Sequence, residues 1–300
     1  MTIPQRVKIV EVGPRDGLQN ETALIPSDIK IQLVEKLAAT GLSAIECGSF
    51  VNPKWVPQMA DSAAVFSGIQ RQPGVTYSAL TPNLKGLESA IAAGVDEVAV
   101  FGSCTEAFSL KNINCSIEES LARFKPLMRA AEQANLKVRA YLSCAFGCPY
   151  SGEVSPLQVA KVARQLEDLG CYEIAISDTI GTGTPALVES VVNAVAGSLP
   201  LQQLAMHFHD TQGRALANVE QSLKMGITVF DSAIGGLGGC PYADGASGNL
   251  ATEALVGLLH NKGVETGVDL AQCWVVGEFI NAYVGAPKST KPALASSKNN

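Results

Sequence analysis

Two histidines separated by one residue, His207-Phe208-His209, follow the apolar run Leu204-Ala205-Met206 and precede Asp210-Thr211. Successive side chains of a strand point to opposite faces, so positions i and i+2 project to the same side. Two imidazoles held side by side at a strand end can grip one metal ion. An isolated His-x-His also arises without any ligand, as one structural histidine bonded to a backbone carbonyl beside one surface histidine, so the motif alone leaves both readings open. The chain has 3 histidines, and the third, His260, lies in a helix-patterned segment. A three-histidine zinc site is therefore not expected, and any further ligands are oxygens.

The elements that must position these residues alternate along the chain. Val7 to Val12 is a β-branched run ending at Gly13-Pro14, and it predicts a buried strand followed by a sharp turn that carries Arg15 and Asp16. Ile29, Leu33, Val34 and Leu37 then repeat with helical spacing, with Ser27 placed as N-cap and Gly41 just past the end. Ala44 to Cys47 is a second strand, with Glu46 inside it. Strands at 75–80, 97–101, 137–142, 173–177, 204–207 and 229–233 alternate with helices, among them one opened by the capping box Ser116 and Glu119 and others opened by Ser155-Pro156 and Thr184-Pro185. Eight strand-then-helix units predict parallel strands joined by right-handed crossovers, and eight is the number that closes a TIM (β/α)8 barrel. The alternative, a doubly wound open sheet, lacks support because Gly13-Pro14-Arg15-Asp16-Gly17 does not have GxGxxG spacing. The barrel is expected to occupy residues 1–285, with a C-terminal helical extension, and residues 286–300 to form a loose polar tail.

In this fold the chemistry gathers at the C-terminal rim of the strands. Arg15 and Asp16 fall there after the first strand, Glu46 in the second, Tyr141 and Ser143 near the fifth, Asp178 after the sixth, His207 and His209 in the seventh, and Cys240 and Asn249 after the eighth. Singly, each is also explained as a capping or turn residue. Together, Asp16, His207, His209 and Asn249 make a mixed oxygen and imidazole set that suits Mg²⁺ or Mn²⁺ better than a thiolate-loving metal. A zinc amidohydrolase would place His-x-His on the first strand and needs more histidines than this chain has. Two glycine-rich stretches accompany the set: 179–183, read as a tight turn, and 235–241, whose glycines before Cys240 suggest a lid that delivers a thiol and excludes water.

Composition narrows the field. With 47% hydrophobic and 17% charged residues the chain is globular, and a net charge of −6 gives no footprint for nucleic acid or an anionic membrane surface. The 8 cysteines are dilute and show no CxxC spacing, as expected of reduced, buried thiols in a cytoplasmic protein.

Gly13 to Asn20, Gly48 to Val51 with Pro53 to Met59, Cys144 to Tyr150, Asp178 to Gly181, His207 to Thr211 and Gly238 to Ala243 with Gly248-Asn249 resemble the 3-hydroxy-3-methylglutaryl-CoA lyase family over nearly the whole chain to about residue 285. The glycine-rich loop with its cysteine separates that family from related metal-dependent barrels that share only the Arg-Asp and His-x-His features. The resemblance implies metal ligation by Asp16, His207, His209 and Asn249, with Glu46 supporting that site and Tyr141, Ser143 and Asp178 nearby. It implies catalytic roles for Arg15, Asp16, His207 and Cys240, an acyl-CoA substrate and a homodimer or larger assembly. Ser177, Gln212-Gly213-Arg214 and Ile234-Gly235 depart from the family pattern and bear on acyl-chain preference. The implied reaction is a retro-Claisen cleavage to acetyl-CoA and acetoacetate. Its rivals are a Claisen-type synthase, a lyase for a longer 3-hydroxyacyl-CoA, and a noncatalytic barrel that binds metal and acyl-CoA.

Overall fold

The computed structural model describes residues 3–238 and 248–285. In chain order the elements are β1 (Lys8–Glu11), α1 (Ser27–Ala39), β2 (Ala44–Ser49), α2 (Ser62–Gly68), β3 (Thr76–Leu80), α3 (Leu84–Ala92), β4 (Glu97–Ser103), α4 (Glu106–Ile113), α5 (Ile117–Gln133), β5 (Lys137–Ser143), α6 (Pro156–Asp168), β6 (Glu173–Asp178), α7 (Pro185–Ala196), β7 (Leu204–Phe208), α8 (Ala215–Lys224), β8 (Val229–Ser232), α9 (Thr252–Asn261) and α10 (Leu270–Val284). Each strand pairs in parallel with the next, and β1 pairs with β8, so the sheet closes into the expected TIM barrel. Parallel strands are covered on both faces, which is why β2 and β6 are buried at every residue. Among the described residues no helix is long and apolar enough to cross a membrane.

Local signals were read correctly where the partners are local. Ser116 accepts from the Glu119 backbone N–H at 3.1 Å while the Glu119 carboxylate accepts from the Ser116 N–H at 2.8 Å, completing the capping box of α5. Ser27 departs from expectation: Pro26 is the N-cap of α1, and the Ser27 hydroxyl donates to Asp61 at 2.7 Å instead. The Asp61 carboxylate, which also receives Lys30 Nζ at 2.7 Å, is a charged and therefore strong acceptor for the Ser27 hydroxyl proton. Two short helices, α2 and α4, also lie inside connections where apolar periodicity marked none; runs of 7 and 8 residues are too short to reveal a period. The tail at 286–300 lies outside the described residues.

The barrel interior is not uniformly apolar. Arg139 of β5 donates through Nε to Glu173 at 2.6 Å and through both terminal nitrogens to Asp231 at 3.1 and 2.7 Å. Lys8 Nζ reaches the other Glu173 oxygen at 3.5 Å. The seam between β1 and β8 is held by Glu11, whose Oε1 accepts from the backbone N–H groups of Gly13 and Ile234, both at 2.8 Å, and whose Oε2 accepts from the Thr252 hydroxyl at 2.6 Å. Glu253 accepts from the Gly235 N–H with both oxygens, at 3.1 and 3.0 Å. These two carboxylates thus brace the turn that carries Arg15 and Asp16 and the turn that leads into the glycine-rich loop.

Burial pushes both carboxyls up from 4.5 to about 7, against the pull of the N–H and hydroxyl groups that donate to them. For a raised carboxyl the unfolded chain loses its proton near 4.5 while the folded chain still holds it, so the stabilising contribution is full below 4.5 and is lost as pH rises through 7. Glu253→Gln should therefore show a smaller fall in Tm between about pH 5 and about pH 7.5 than the unaltered protein. Calorimetry at the two pH values checks this, and equal falls in both proteins would contradict it.

Candidate active site

The first candidate residues stand on a single wide turn at Gly13–Gly17, in which the Val12 carbonyl accepts from the N–H groups of Asp16 at 2.7 Å and Gly17 at 3.1 Å. Arg15, only 5% exposed, donates through Nε to Glu46 Oε2 at 2.5 Å and through Nη1 to Asp16 Oδ1 at 2.5 Å. Tyr141 donates its hydroxyl to the same Glu46 oxygen at 3.0 Å, and the Arg15 and Arg139 guanidinium groups each lie 5.0 Å from its ring centroid. The register of β2 against β3 slips between Glu46 and Gly48, a bulge of the kind that re-aims a side chain beside a site.

His207 is the fourth residue of β7, and His209 lies just beyond the strand, where it bridges Asn249. Their ring centroids are 5.3 Å apart, so the two imidazoles stay side by side although the strand ends at Phe208. His207 Nε2 is 3.8 Å from Asp16 Oδ2, and one potential ligand atom from each of Asp16, His207 and His209 lies within 4.8 Å of the other two. Asn249 donates from Nδ2 to Asp16 Oδ2 at 2.8 Å and to the Leu237 carbonyl at 3.3 Å. This approach needs glycine on both sides: a Cβ at Gly17 would stand 2.7 Å from Leu237 Cβ, and one at Gly238, where φ is +96°, would stand 2.8 Å from Asn249 Nδ2.

Whether these residues suit a divalent cation can be judged from their unsatisfied atoms. Asn249 Oδ1 and His209 Nδ1 are both buried without a hydrogen-bond partner, a costly state for isolated polar atoms and an ordinary one for atoms set aside for a ligand. Burial, together with the neighbouring His207, lowers His209 from 6.5 to about 4, so it is neutral and able to donate a lone pair at pH 7. Burial alone would raise Asp16, but the Arg15 guanidinium and the two imidazoles outweigh it and hold the carboxyl well below its usual range. One carboxylate, two imidazoles and one amide oxygen fit a hard or borderline divalent cation.

These residues form one wall of a cavity of about 340 Å³. Tyr141, Ser143, Ser177 and Thr179 continue the polar lining, and Leu80, Phe101 and Phe108 supply an apolar side. Glu46 and Asp178 do not reach it. Asp178 is the last residue of β6 rather than a residue beyond it, and its carboxylate turns onto the 179–183 turn, accepting from the N–H groups of Thr182 at 3.0 Å and Gly183 at 2.9 Å. Burial raises its pKa to about 6 against those bonds. Asp178 therefore shapes the turn and does not line the cavity. Cys240 lies outside the described residues; the 7 described cysteines are buried and unpaired.

Several site residues were not singled out from the sequence. Phe101, Phe108 and Asn112 were given no role in the site, and Gln19 and Asn20 entered only within the Gly13 to Asn20 stretch, yet all line the cavity. Arg139 and Asp231 were passed over inside strands identified by their apolar neighbours. Their signal was available in the period of two: Arg139, Tyr141 and Ser143 share one face of β5.

A closed parallel barrel bearing a carboxylate and imidazole cluster at the C-terminal ends of its strands is the architecture of a barrel enzyme with room for a divalent cation. The family described as HMGL-like matches residues 6–280. The 3-hydroxy-3-isohexenylglutaryl-CoA/hydroxy-methylglutaryl-CoA lyase of Pseudomonas aeruginosa is 55% identical over 295 residues, covering 98% of both chains. The human mitochondrial hydroxymethylglutaryl-CoA lyase is 54% identical over 297 residues, covering 99% of this chain and 91% of its own. The crystal structure of hydroxymethylglutaryl-CoA lyase from Pseudomonas aeruginosa superposes with a TM-score of 0.95 at 55% identity, covering 97% of each chain. The chain belongs to the HMGL-like family, the family of these lyases.

If Asn249 Oδ1 is reserved for a cation, Asn249→Ala should weaken Mn²⁺ binding by about tenfold or more, since a site with few protein ligands loses affinity sharply with each one. Isothermal titration of the purified protein measures this; unchanged affinity would remove Asn249 from the ligand set.

Proposed function

We propose that this chain cleaves 3-hydroxy-3-methylglutaryl-CoA to acetyl-CoA and acetoacetate by a retro-Claisen reaction that requires a divalent cation, Mg²⁺ or Mn²⁺. The observation that carries this reading is the meeting of Arg15 with the Asp16, His207 and His209 cluster on one wall of a cavity, in a chain about half identical to named lyases over nearly its full length. Asp16, His207, His209 and Asn249 are the residues that would hold the cation, which when bound supplies Lewis-acid polarisation of the C3 hydroxyl and lowers its pKa.

The remaining work falls to the side chains. The C3 hydroxyl proton passes to Asp16, since His207 has its one lone pair committed to the cation, as the C2–C3 bond breaks; the hydroxyl oxygen becomes the ketone of acetoacetate and the bonding pair moves onto the thioester as an enolate. Arg15 holds the enolate oxygen, with Glu46 and Asp16 fixing two edges of its guanidinium in advance. Tyr141 closes that arrangement through its bond to Glu46. Cys240 is assigned the proton returned to C2 on the family resemblance. The apolar side formed by Leu80, Phe101 and Phe108 faces the same cavity, so a longer 3-alkyl substrate belongs in the same assay. A homodimer or larger assembly and a cytoplasmic address remain part of this proposal, to be checked by light scattering and cell fractionation.

Turnover of a panel of 3-hydroxyacyl-CoA thioesters, followed as acetyl-CoA release, tests the reaction. Chelation should abolish activity and Mg²⁺ or Mn²⁺ restore it, and full activity in metal-free protein would sink the cation requirement. Arg15→Lys keeps a charge but cannot reach Glu46 and Asp16 with one planar fork, so kcat should fall by about 10²-fold or more, the scale of a lost oxyanion partner. Near-normal kcat would return Arg15 to a purely structural ion pair. Cys240→Ser should lower kcat by about 10² to 10⁴ with cation binding intact, as removal of a general acid does; unchanged turnover would make it a silent thiol.

A further inference from the structure

The two histidines of the cluster are held in different ways. His209 Nδ1 is buried and has no partner. His207 Nδ1 lies 3.1 Å from Asp231 Oδ2, while its Nε2 faces Asp16 at 3.8 Å. Asp231 is 2% exposed, stands beside His207 in the pairing of β7 with β8, and receives both terminal nitrogens of Arg139. An ionised carboxylate accepts hydrogen bonds and donates none. The ring nitrogen that faces it must therefore carry the proton, and the lone pair of a neutral imidazole is left on the other nitrogen.

We propose that Asp231 is a positioning residue that, with Arg139 behind it, holds His207 in the Nδ1–H tautomer and so keeps Nε2 open toward Asp16 for cation binding. The proposal rests on the reading of His207 as a ligand given above. Arg139 does two things here. Its positive charge keeps Asp231 ionised, and its planar fork fixes both carboxylate oxygens, so that Oδ2 meets His207 in one orientation. Arg139 is itself oriented by Glu173 on its Nε, and that carboxylate is met by Lys8 from the N-terminal end of the barrel. The ring of Tyr141 packs edge-on to His207 at 5.8 Å and removes the remaining freedom of the imidazole to swing. A carboxylate bonded to the far nitrogen of a ligating histidine is the usual way of fixing its tautomer, and its loss costs about 10- to 100-fold in metal affinity.

Asp231→Asn is the informative change because it preserves shape. To keep an oxygen on Arg139 Nη2, the new amide must turn its NH₂ toward His207 Nδ1, which then accepts; the proton moves to Nε2 and the lone pair leaves the cation site, as when a triad aspartate is replaced by asparagine. The test is ¹⁵N spectroscopy of the full chain labelled at histidine, which carries only 3 such residues, with Mn²⁺ titration in parallel. In the metal-free unaltered protein His207 should be protonated on Nδ1. In Asp231→Asn it should be protonated on Nε2 with His209 unchanged, and Mn²⁺ should bind about 10- to 100-fold more weakly. An Nε2–H tautomer in the unaltered protein, or Mn²⁺ affinity within about twofold of normal in a folded Asp231→Asn, would overturn the proposal. Should Asp231→Asn not fold, the tautomer of the unaltered protein decides alone. Intact tautomer and Mn²⁺ binding without thioester cleavage would uphold this inference while overturning the lyase reading.

Discussion

Arg139 places a full positive charge in the middle of the barrel, and almost everything about the site depends on how that charge is met. Its guanidinium is among the largest fully buried side chains, and a buried charge is tolerated only when its donors are occupied. Glu173 takes Nε and Asp231 takes both terminal nitrogens, so every nitrogen of the fork meets a carboxylate, one on the adjacent β6 and one reaching across the barrel from β8. Removing one partner from such a set typically costs about 3–5 kcal/mol, because the remaining charge is stranded in low dielectric. The network therefore behaves as a unit, and its upper edge is the site itself: Asp231 ends on His207, and the Arg139 guanidinium packs on the Tyr141 ring whose hydroxyl anchors Glu46.

A second charge set begins where the first one ends. Arg15 draws together Glu46 from β2 and Asp16 from its own turn, and the Tyr141 ring lies within 5.0 Å of both arginines. Two cations thus share one aromatic ring and four carboxylates, with the imidazoles at the exposed edge. Such a lattice cannot relax one member without disturbing the next, and this gives the preorganisation that a developing oxyanion requires: donors already aimed, with no reorganisation left to do. The residues proposed to hold the cation are the exception, since Asn249 Oδ1 and His209 Nδ1 have no hydrogen-bond partner.

Backbone contacts join the two ends of the barrel seam. Glu11 accepts from Gly13 and Ile234 with one oxygen, so the turn bearing Arg15 and Asp16 and the turn after β8 are tied to the same atom. Gly17 and Gly238 allow those turns to touch where any side chain would collide. Asp16 and Asn249, separated by 233 positions, meet at 2.8 Å as a result.

Much of this protein was legible before any coordinates. The alternation of β-branched runs with helical repeats specifies eight strand-helix units, and chain connectivity with right-handed crossovers leaves a closed barrel as the compact solution. The rim positions of Arg15, Asp16, His207, His209 and Asn249 follow from where those units end, and the local capping box of α5 follows from two residues. What tertiary structure alone decided is which charges answer which. Ser27 serves Asp61 instead of its helix, Asp178 turns onto its own loop, and Glu46, Tyr141, Arg139 and Asp231 come together from three strands. A period of two can say that Arg139 and Asp231 face inward. It cannot say that they face each other, because pairing across a barrel is set by register and shear, which depend on every strand at once.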